Sequence, residues 1–433
     1  MSDPLPQYFQ PTITKIRRWS AERDHWAMVL VTGIYIFSIL IHFNIPTTDL
    51  GMYNLAIPLL SLGILVLYRD LLWDVWQHHR RTLLLTIALY LWLWVSAFFG
   101  EHTSTAIKYT IKYSIYFFVF PALLTLSFKF VRDRKSDWIY RFFWILTLIT
   151  AGFGIVDYLY PQFPLLIWIR EPNFHVGFRI LSFFDNPNKL GIMMAFGVIN
   201  SYTIGKAEIL RRPIVTALSI FVCGVIGILS GSRNFLIAVT LTLVVGIYPW
   251  RVVNKREVIM ILIVGVMLSA ILLSTNSTIE LRVMETAQDM PHNWSLIQKM
   301  LLGDEEIINA SSTPERLRIW YVASQEFWKN PLIGTGLAGF TNDIMGHRNA
   351  HNLMLTLLVE IGIPGTLLFF GILTSALWRT HLNDPRVGFF CSFIFTAQLL
   401  DFFIHDFTAM ITMIWMIAIA SHITKVQERS CIT

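Results

Sequence analysis

Apolar runs of roughly 20 residues, the length a helix needs to cross a hydrocarbon core of about 30 Å, recur along nearly the whole chain. They fall near 26–44, 51–68, 83–100, 106–128, 138–160, 187–205, 213–230, 233–250, 257–276, 352–378, 387–402 and 407–424. Lipid offers no hydrogen-bond partner to a backbone, so these segments must satisfy their amides internally, as helices or as a closed barrel. A barrel would show shorter segments of alternating polarity. The expectation is therefore an all-α integral membrane protein with about 12 transmembrane helices. Composition agrees, since 55% of residues are hydrophobic, only 14% are charged, and the mean hydropathy is +0.56, well outside the soluble globular range.

Cys223, Cys391 and Cys431 lie in or beside apolar runs without CxxC spacing. They read as small packing residues, and neither a zinc site nor a disulfide framework is indicated. The opening MSDPLPQYFQPTITKIRRWSAERD is polar and too long before the first apolar run for a standard signal peptide, so the first span is expected to stay as an anchor.

Lys and Arg set the orientation. With the N-terminus inside, the inner segments hold most of the 34 basic residues, including Arg17, Arg18, Arg23, Arg80, Arg81, Lys129, Arg132, Lys135, Arg211, Arg212, Lys255 and Arg256, while the links 45–50, 101–105 and 403–406 hold none. Both termini are then cytoplasmic. The expected organisation is 1–276 with nine spans and a short outer loop at about 161–186, 277–350 as a large outer loop containing helices, and 351–433 with three spans and a short tail. Chemistry is expected in the outer loops.

The basic residues that break the orientation rule are Lys108, Lys112, Arg170, Arg179, Lys189, Arg233, Arg282, Lys299, Arg316, Arg318, Lys329 and Arg348. Together they imply a cationic outer face; singly, each also fits a snorkelling cation or a loop ion pair. Arg233, in ILSGSRNFLIAV, sits at a tight turn between two apolar runs. A charge there costs a few kcal/mol unless partnered, either by a carboxylate or helix C-terminus, or by a bound anion. The planar guanidinium fork suits phosphate.

Arg316 lies in STPERLRIWYVASQEFWKNPLIGTGLAGF, where Ser312 to Glu315 reads as a helix start. Arg316, Trp320, Ala323 and Phe327 recur on one face, predicted to point toward the protein, with Arg318 about 200° away and solvated. PLIGTGLAGF reads as a Pro/Gly turn closing that helix, too short a glycine motif to argue a phosphate loop. In NAHNLMLTLLVEIGIPG, His351 and Asn352 open the tenth span. An imidazole with an ordinary pKa of about 6.5 can accept a proton near neutrality, although a membrane-end histidine also serves as a cap or packing group. His405 and Asp406 form a comparable pair. Glu360, about 13 Å deeper along the same helix, is expected to be structural or orienting. Asp304, Glu305 and Glu306 form an acidic run that fits a solvated loop or a cation.

Two arginines and one base, without a metal cluster, suit transfer from a phosphorylated donor: the guanidiniums neutralise the leaving phosphate and the base takes a proton from the attacking hydroxyl. A donor carried in the lipid accounts for the many spans.

Four blocks, FRILSFFDNPNKLG (178–191), LSGSRNFLIA (229–238), RLRIWYVASQEFWKNPLIGTGLAGF (316–340) and AHNLMLTLLVEIGIPG (350–365), resemble in order and spacing the O-antigen ligase family, bacterial inner-membrane enzymes related to O-antigen polymerases and protein O-oligosaccharyltransferases. The likeness covers roughly the second half of the chain; the first five spans match in hydropathy alone. It implies a GT-C-like, metal-independent, inverting glycosyltransferase. Such an enzyme moves O-antigen polysaccharide from undecaprenyl pyrophosphate to a sugar hydroxyl of the lipid A core on the periplasmic face. By motif, His351 matches the family's base, and Arg233 and Arg316 its pyrophosphate binders. Arg179, Asn188, Arg318, Arg348 and Asn352 are candidates for donor or acceptor contacts, while Arg318 could take the part of Arg316, and His347 that of His351. The implied partners are the lipid-linked glycan donor, the lipid A core acceptor and membrane lipids, with no cofactor, metal or nucleic acid.

A polymerase or a protein ligase would use the same donor. The chain ends soon after the last span, where many protein ligases carry a further periplasmic domain, and this favours the lipopolysaccharide ligase. A secondary transporter with about twelve helices would place its charges near the midplane of two similar halves. Here the anomalous charges cluster at the outer edge and the halves show no symmetry.

Overall fold

A computed structural model describes residues 10–39, 53–133, 135–160, 163, 180–182, 184, 187–206, 212–247, 315–346 and 352–377. Among these, every regular element is helical: α1 (Gln10–Ile39), α2 (Tyr53–Leu67), α3 (Leu72–Phe99), α4 (Thr103–Tyr113), α5 (Ile115–Arg132), α6 (Ser136–Leu159), α7 (Pro187–Lys206), α8 (Pro213–Leu229), α9 (Arg233–Ile247), α10 (Glu315–Lys329) and α11 (Leu353–Leu377). The first eight expected spans and the tenth coincide with helices. Those at 257–276, 387–402 and 407–424 lie outside the described residues, and the loop 277–350 is described only over 315–346.

Four segments are long and apolar enough to cross a membrane: Arg69–Phe99, Thr103–Arg132, Asp137–Leu159 and Leu353–Ser375; Leu55–Leu67 and Pro213–Leu229 are apolar but shorter. Their outward faces are greasy too, with Leu84, Ile87 and Leu91 of α3 all exposed. A helix apolar all round is stable only where hydrocarbon surrounds it, so this is a membrane protein. The expected fourth span is divided at Ser114, whose hydroxyl donates back to the Thr110 carbonyl at 2.9 Å, an arrangement that bends helices.

The bundle has two distinct ends. At one, α1 meets the α2–α3 and α5–α6 junctions through ion pairs. Arg23 holds Asp70 at 2.6 Å, the Tyr68 hydroxyl donates to Asp24 at 3.1 Å, Lys135 pairs with Asp24, and Lys129 pairs with Asp133. Asp24 and Lys129 are deeply buried, which is tolerable only because each charge has partners. Arg23, Lys129, Arg132 and Lys135 were all counted above as inner markers, and they gather at this one end.

α11 runs antiparallel to α3. Near the ion-pair end, the hydroxyls of Thr82 and Ser375 lie 3.0 Å apart, and further along the Trp92 indole donates to the Ile361 carbonyl at 2.8 Å. The C-terminus of α3 and the N-terminal half of α11 therefore share the opposite end, here termed the loop end. There α11 is broken at Gly362, with φ 68° and ψ −177°, a conformation open essentially to glycine. Pro331–Gly336 docks into the break: Thr335 N–H donates to the Val359 carbonyl (2.8 Å), Gly336 N–H to that of Glu360 (2.9 Å), and Ile363 N–H to that of Pro331 (2.9 Å). The Ser96 hydroxyl bridges both sides of this joint, reaching the carbonyls of Ile333 and Glu360 at 2.8 and 3.2 Å.

A Cβ at Gly362 would lie 2.0 Å from the Leu332 carbonyl oxygen, whereas one at Gly371 in the same helix meets only Leu85 at 3.7 Å. Gly362→Ala is expected to destabilise the protein by about 2–3 kcal/mol, and Gly371→Ala not at all. Thermal denaturation of both variants in detergent checks the pair; equal melting would remove the break as a structural requirement.

Candidate functional site

Two clusters of described residues carry the site candidates. The first joins α6, the segment 180–184, α7 and the α8–α9 turn. Asp157, near the end of α6, is buried and accepts the N–H groups of Leu181 (2.8 Å) and Ser182 (3.1 Å) through one carboxylate oxygen. Ser182 has a positive φ of 55°, and its hydroxyl donates to the Thr150 carbonyl at 3.0 Å. The chain leaving Arg179 is thus pinned on α6, although Arg179 itself lies outside the described residues.

The turn between α8 and α9 is as tight as the sequence implied, only Ser230, Gly231 and Ser232 separating the helices. Gly231 takes φ 62°, and the Ser230 hydroxyl folds back on the Gly227 carbonyl at 2.6 Å. Arg233 is therefore the first residue of α9; its side chain lies outside the described residues. Ser232 donates to the Asn188 side-chain oxygen at 3.1 Å, and Gly191 allows this approach because a Cβ there would come within 2.5 Å of Ser232 Cβ. Two separate sequence blocks, those of Asn188 and Arg233, consequently meet.

The second cluster lies at the loop end. α10 packs on α11, with Ile319, Ala323, Phe340 and Val359 forming a small buried core of their own. The apolar stripe of α10 is centred on Ile319 and Ala323; Trp320, expected to face inward, is 40% exposed. Residues three or four apart share a helix face, so Trp320 sits at the margin of a stripe whose middle is Ile319. Arg318 is exposed, while the side chain of Arg316 is outside the described residues. His347, Arg348 and His351 also lie outside them, as do His405 and Asp406.

Asn352 is the N-cap of α11, its side-chain oxygen accepting the Leu355 N–H at 3.1 Å. That oxygen satisfies one of the unpaired amides at the start of a helix. Glu360 is structural, but not for want of polar neighbours. Although it stands in an apolar helix, the 337–346 segment descends to it: its carboxylate accepts Ala338 N–H (2.9 Å), Thr341 N–H (3.3 Å) and the Thr341 hydroxyl (2.7 Å). Ala338 adopts φ 63°, and a π-helical turn follows at Phe340–Ile344. Strained backbone and π-turns persist where the surroundings over-determine them, and the buried carboxylate supplies that determination.

Sequence reasoning missed three groups: Asp157, Ser232, and a contact between His102 Nδ1 and Asp343 Oδ2 at 3.2 Å. For Asp157 a signal existed, since it is a lone carboxylate within an apolar run, as Glu360 is.

No curated protein matches the chain. The family model described as O-antigen ligase matches residues 218–370, a stretch taking in most of α8, the Arg233 turn, α10, the joint at Gly362 and most of α11. Over that stretch, about a third of its length, the chain is similar to the O-antigen ligase family.

Proposed function

We propose that the protein is an inner-membrane glycosyltransferase that moves O-antigen polysaccharide from undecaprenyl pyrophosphate to the lipid A core oligosaccharide on the periplasmic face. In this reading Arg233 and Arg316 bind the pyrophosphate, and His351 takes the proton of the acceptor hydroxyl as the sugar–phosphate bond breaks in a single inverting displacement. Arg179, Asn188, Arg318 and Arg348 contribute donor or acceptor contacts, and no metal takes part. The loop end of the bundle is then periplasmic and the ion-pair end cytoplasmic.

The observation that carries the proposal is the Ser230–Ser232 turn, which makes Arg233 the first residue of α9. The amides opening a helix bear a partial positive charge that favours anions and disfavours a cation. Arginine at that position is stabilised when a diphosphate lies between guanidinium and amides, and Asn188, hooked to Ser232, can add a side-chain amide. The fork of arginine meets two phosphate oxygens at once, which the point charge of lysine cannot.

The test is reconstitution in liposomes with purified lipid-linked glycan and, in parallel, lipid A core, unfinished lipid-linked glycan, or a Ser/Thr peptide as acceptor. Consumption of the lipid A core supports the ligase; consumption of either other acceptor instead identifies a polymerase or a protein ligase. Arg233→Lys is expected to lower transfer about a hundredfold or more with unchanged expression. Full activity would reduce Arg233 to a structural cation.

A further inference from the structure

Beside the joint at the loop end, two side chains stand apart from the catalytic set. His102 occupies the N-cap position of α4, yet its side chain makes no capping hydrogen bond. Instead, Nδ1 lies 3.2 Å from the Asp343 carboxylate. A carboxylate accepts from N–H, so the contact places a proton on Nδ1, and in the neutral tautomer that this selects the lone pair is on Nε2. Among the described residues nothing is hydrogen-bonded to Nε2, and both side chains are partly open, at 28% and 34%.

This pair is not needed to close the fold locally. The backbone of His102 is already latched, its N–H donating to Thr335 at 3.2 Å and its carbonyl accepting from Ala106 at 2.9 Å. Asp343 rides on the π-turn that Glu360 anchors through Ala338 and Thr341. Gly339 leaves room for the ring, since a Cβ there would come within 3.0 Å of His102 Cβ and 3.3 Å of Cδ2. The end of α10 adds polar groups nearby. Lys329 is held above the ordinary lysine range first by Glu326, 2.6 Å away, and further by the charge of Glu101, the neighbour of His102. Trp328, next to Lys329, is exposed.

From this arrangement we propose that His102 and Asp343 form a sugar-hydroxyl subsite: Asp343 orients the imidazole, and Nε2 accepts a hydrogen bond from a hydroxyl of the glycan undergoing transfer or of the one receiving it. The acid and ammonium groups beside the pair, Glu101 and Lys329, are polar partners of the kind sugar hydroxyls require. The subsite positions substrate and takes no proton in the reaction. It rests on the glycosyl-transfer reading for its substrate, and its test is chosen so that the two can fail separately.

His102→Ala, His102→Gln, Asp343→Ala and Asp343→Asn are compared with the wild type in lipid nanodiscs, varying one substrate at a time. His102→Ala and Asp343→Ala are expected to raise KM for one glycan substrate about tenfold, the scale of one lost hydrogen bond to a polar partner, with kcat changed less than about threefold. His102→Gln, which still presents an acceptor, should recover most of the loss, and Asp343→Asn, whose amide oxygen can still receive Nδ1–H, should lie between. A KM rise for the lipid A core assigns the subsite to the acceptor; a rise for the lipid-linked glycan assigns it to the donor. Unchanged KM for both, a fall in kcat alone, or melting lowered in parallel with activity in all four variants overturns the subsite. Should the wild type transfer nothing, the functional proposal fails. Titrations with core oligosaccharide and with the donor glycan, each freed of lipid, then still decide the subsite, which stands if wild type binds either one and His102→Ala does not, and falls if wild type binds neither or the variant binds equally.

Discussion

Replacing Glu360 by alanine is expected to destabilise the protein by about 4 kcal/mol and to loosen the 337–346 segment. Three donors converge on this carboxylate: the N–H groups of Ala338 and Thr341 and the Thr341 hydroxyl. Glu360 is 2% exposed, so alanine would leave these donors without water to replace the lost acceptor. Each buried unsatisfied group costs about 1–3 kcal/mol, and the positive φ of Ala338 loses the contact that holds it. Glu360→Gln separates the shape of the side chain from its accepting capacity. Its oxygen can still receive Ala338 N–H, and the Thr341 hydroxyl can reverse to accept, but the Thr341 N–H then faces an amide donor. A loss of about 1–2 kcal/mol is expected. Hydrogen exchange over 337–346, read with thermal melting, checks the series; an alanine variant as protected as wild type would remove the carboxylate from this role.

The same residue shows what a sequence can and cannot disclose. That Glu360 orients something was readable from a charge isolated in an apolar run. What it orients was not, because Ala338 belongs to a segment read as a simple turn, 331–340, and Thr341 follows directly after it. The break at Gly362 was hidden likewise: Gly-Ile-Pro hints at a kink, but the partners of the freed carbonyls, Thr335, Gly336, Ser96 and Trp92, are set by long-range packing. The Arg233 turn was legible because Gly and Ser between two apolar runs leave the chain one local solution. Helix positions were equally local, down to α10 opening at Glu315 after Ser312-Thr313-Pro314. His102 and Asp343 lie far apart in the chain and neither stands out alone, since a histidine in a short loop and an aspartate in a polar one are ordinary. Periodicity fixed the face of α10 only to within one residue, which is why Trp320 falls at the edge of the stripe.

Replacing His351 by alanine is expected to abolish transfer while leaving the fold intact, and the reason lies in its neighbour. Asn352 provides the cap of α11, through its side-chain oxygen on Leu355 N–H at 3.1 Å and its carbonyl on Thr356 N–H at 3.1 Å. A change at 351 precedes that cap and leaves its hydrogen bonds in place. Asn352→Ala removes the side-chain cap and should cost about 1 kcal/mol in stability, whereas Asn352→Asp should retain it. If His351 is the base, its loss removes proton acceptance at the attacking hydroxyl, which typically accounts for 10²–10⁴-fold in rate, so turnover should fall by about a thousandfold. The drop should appear in kcat, with substrate binding nearly unchanged, opposite to the KM effect expected at His102. Stability should therefore track residue 352 and turnover residue 351. A His351→Ala protein that still caps lipid A core with polysaccharide at the wild-type rate would transfer the role of base to another group, with His347 the first to be replaced in turn.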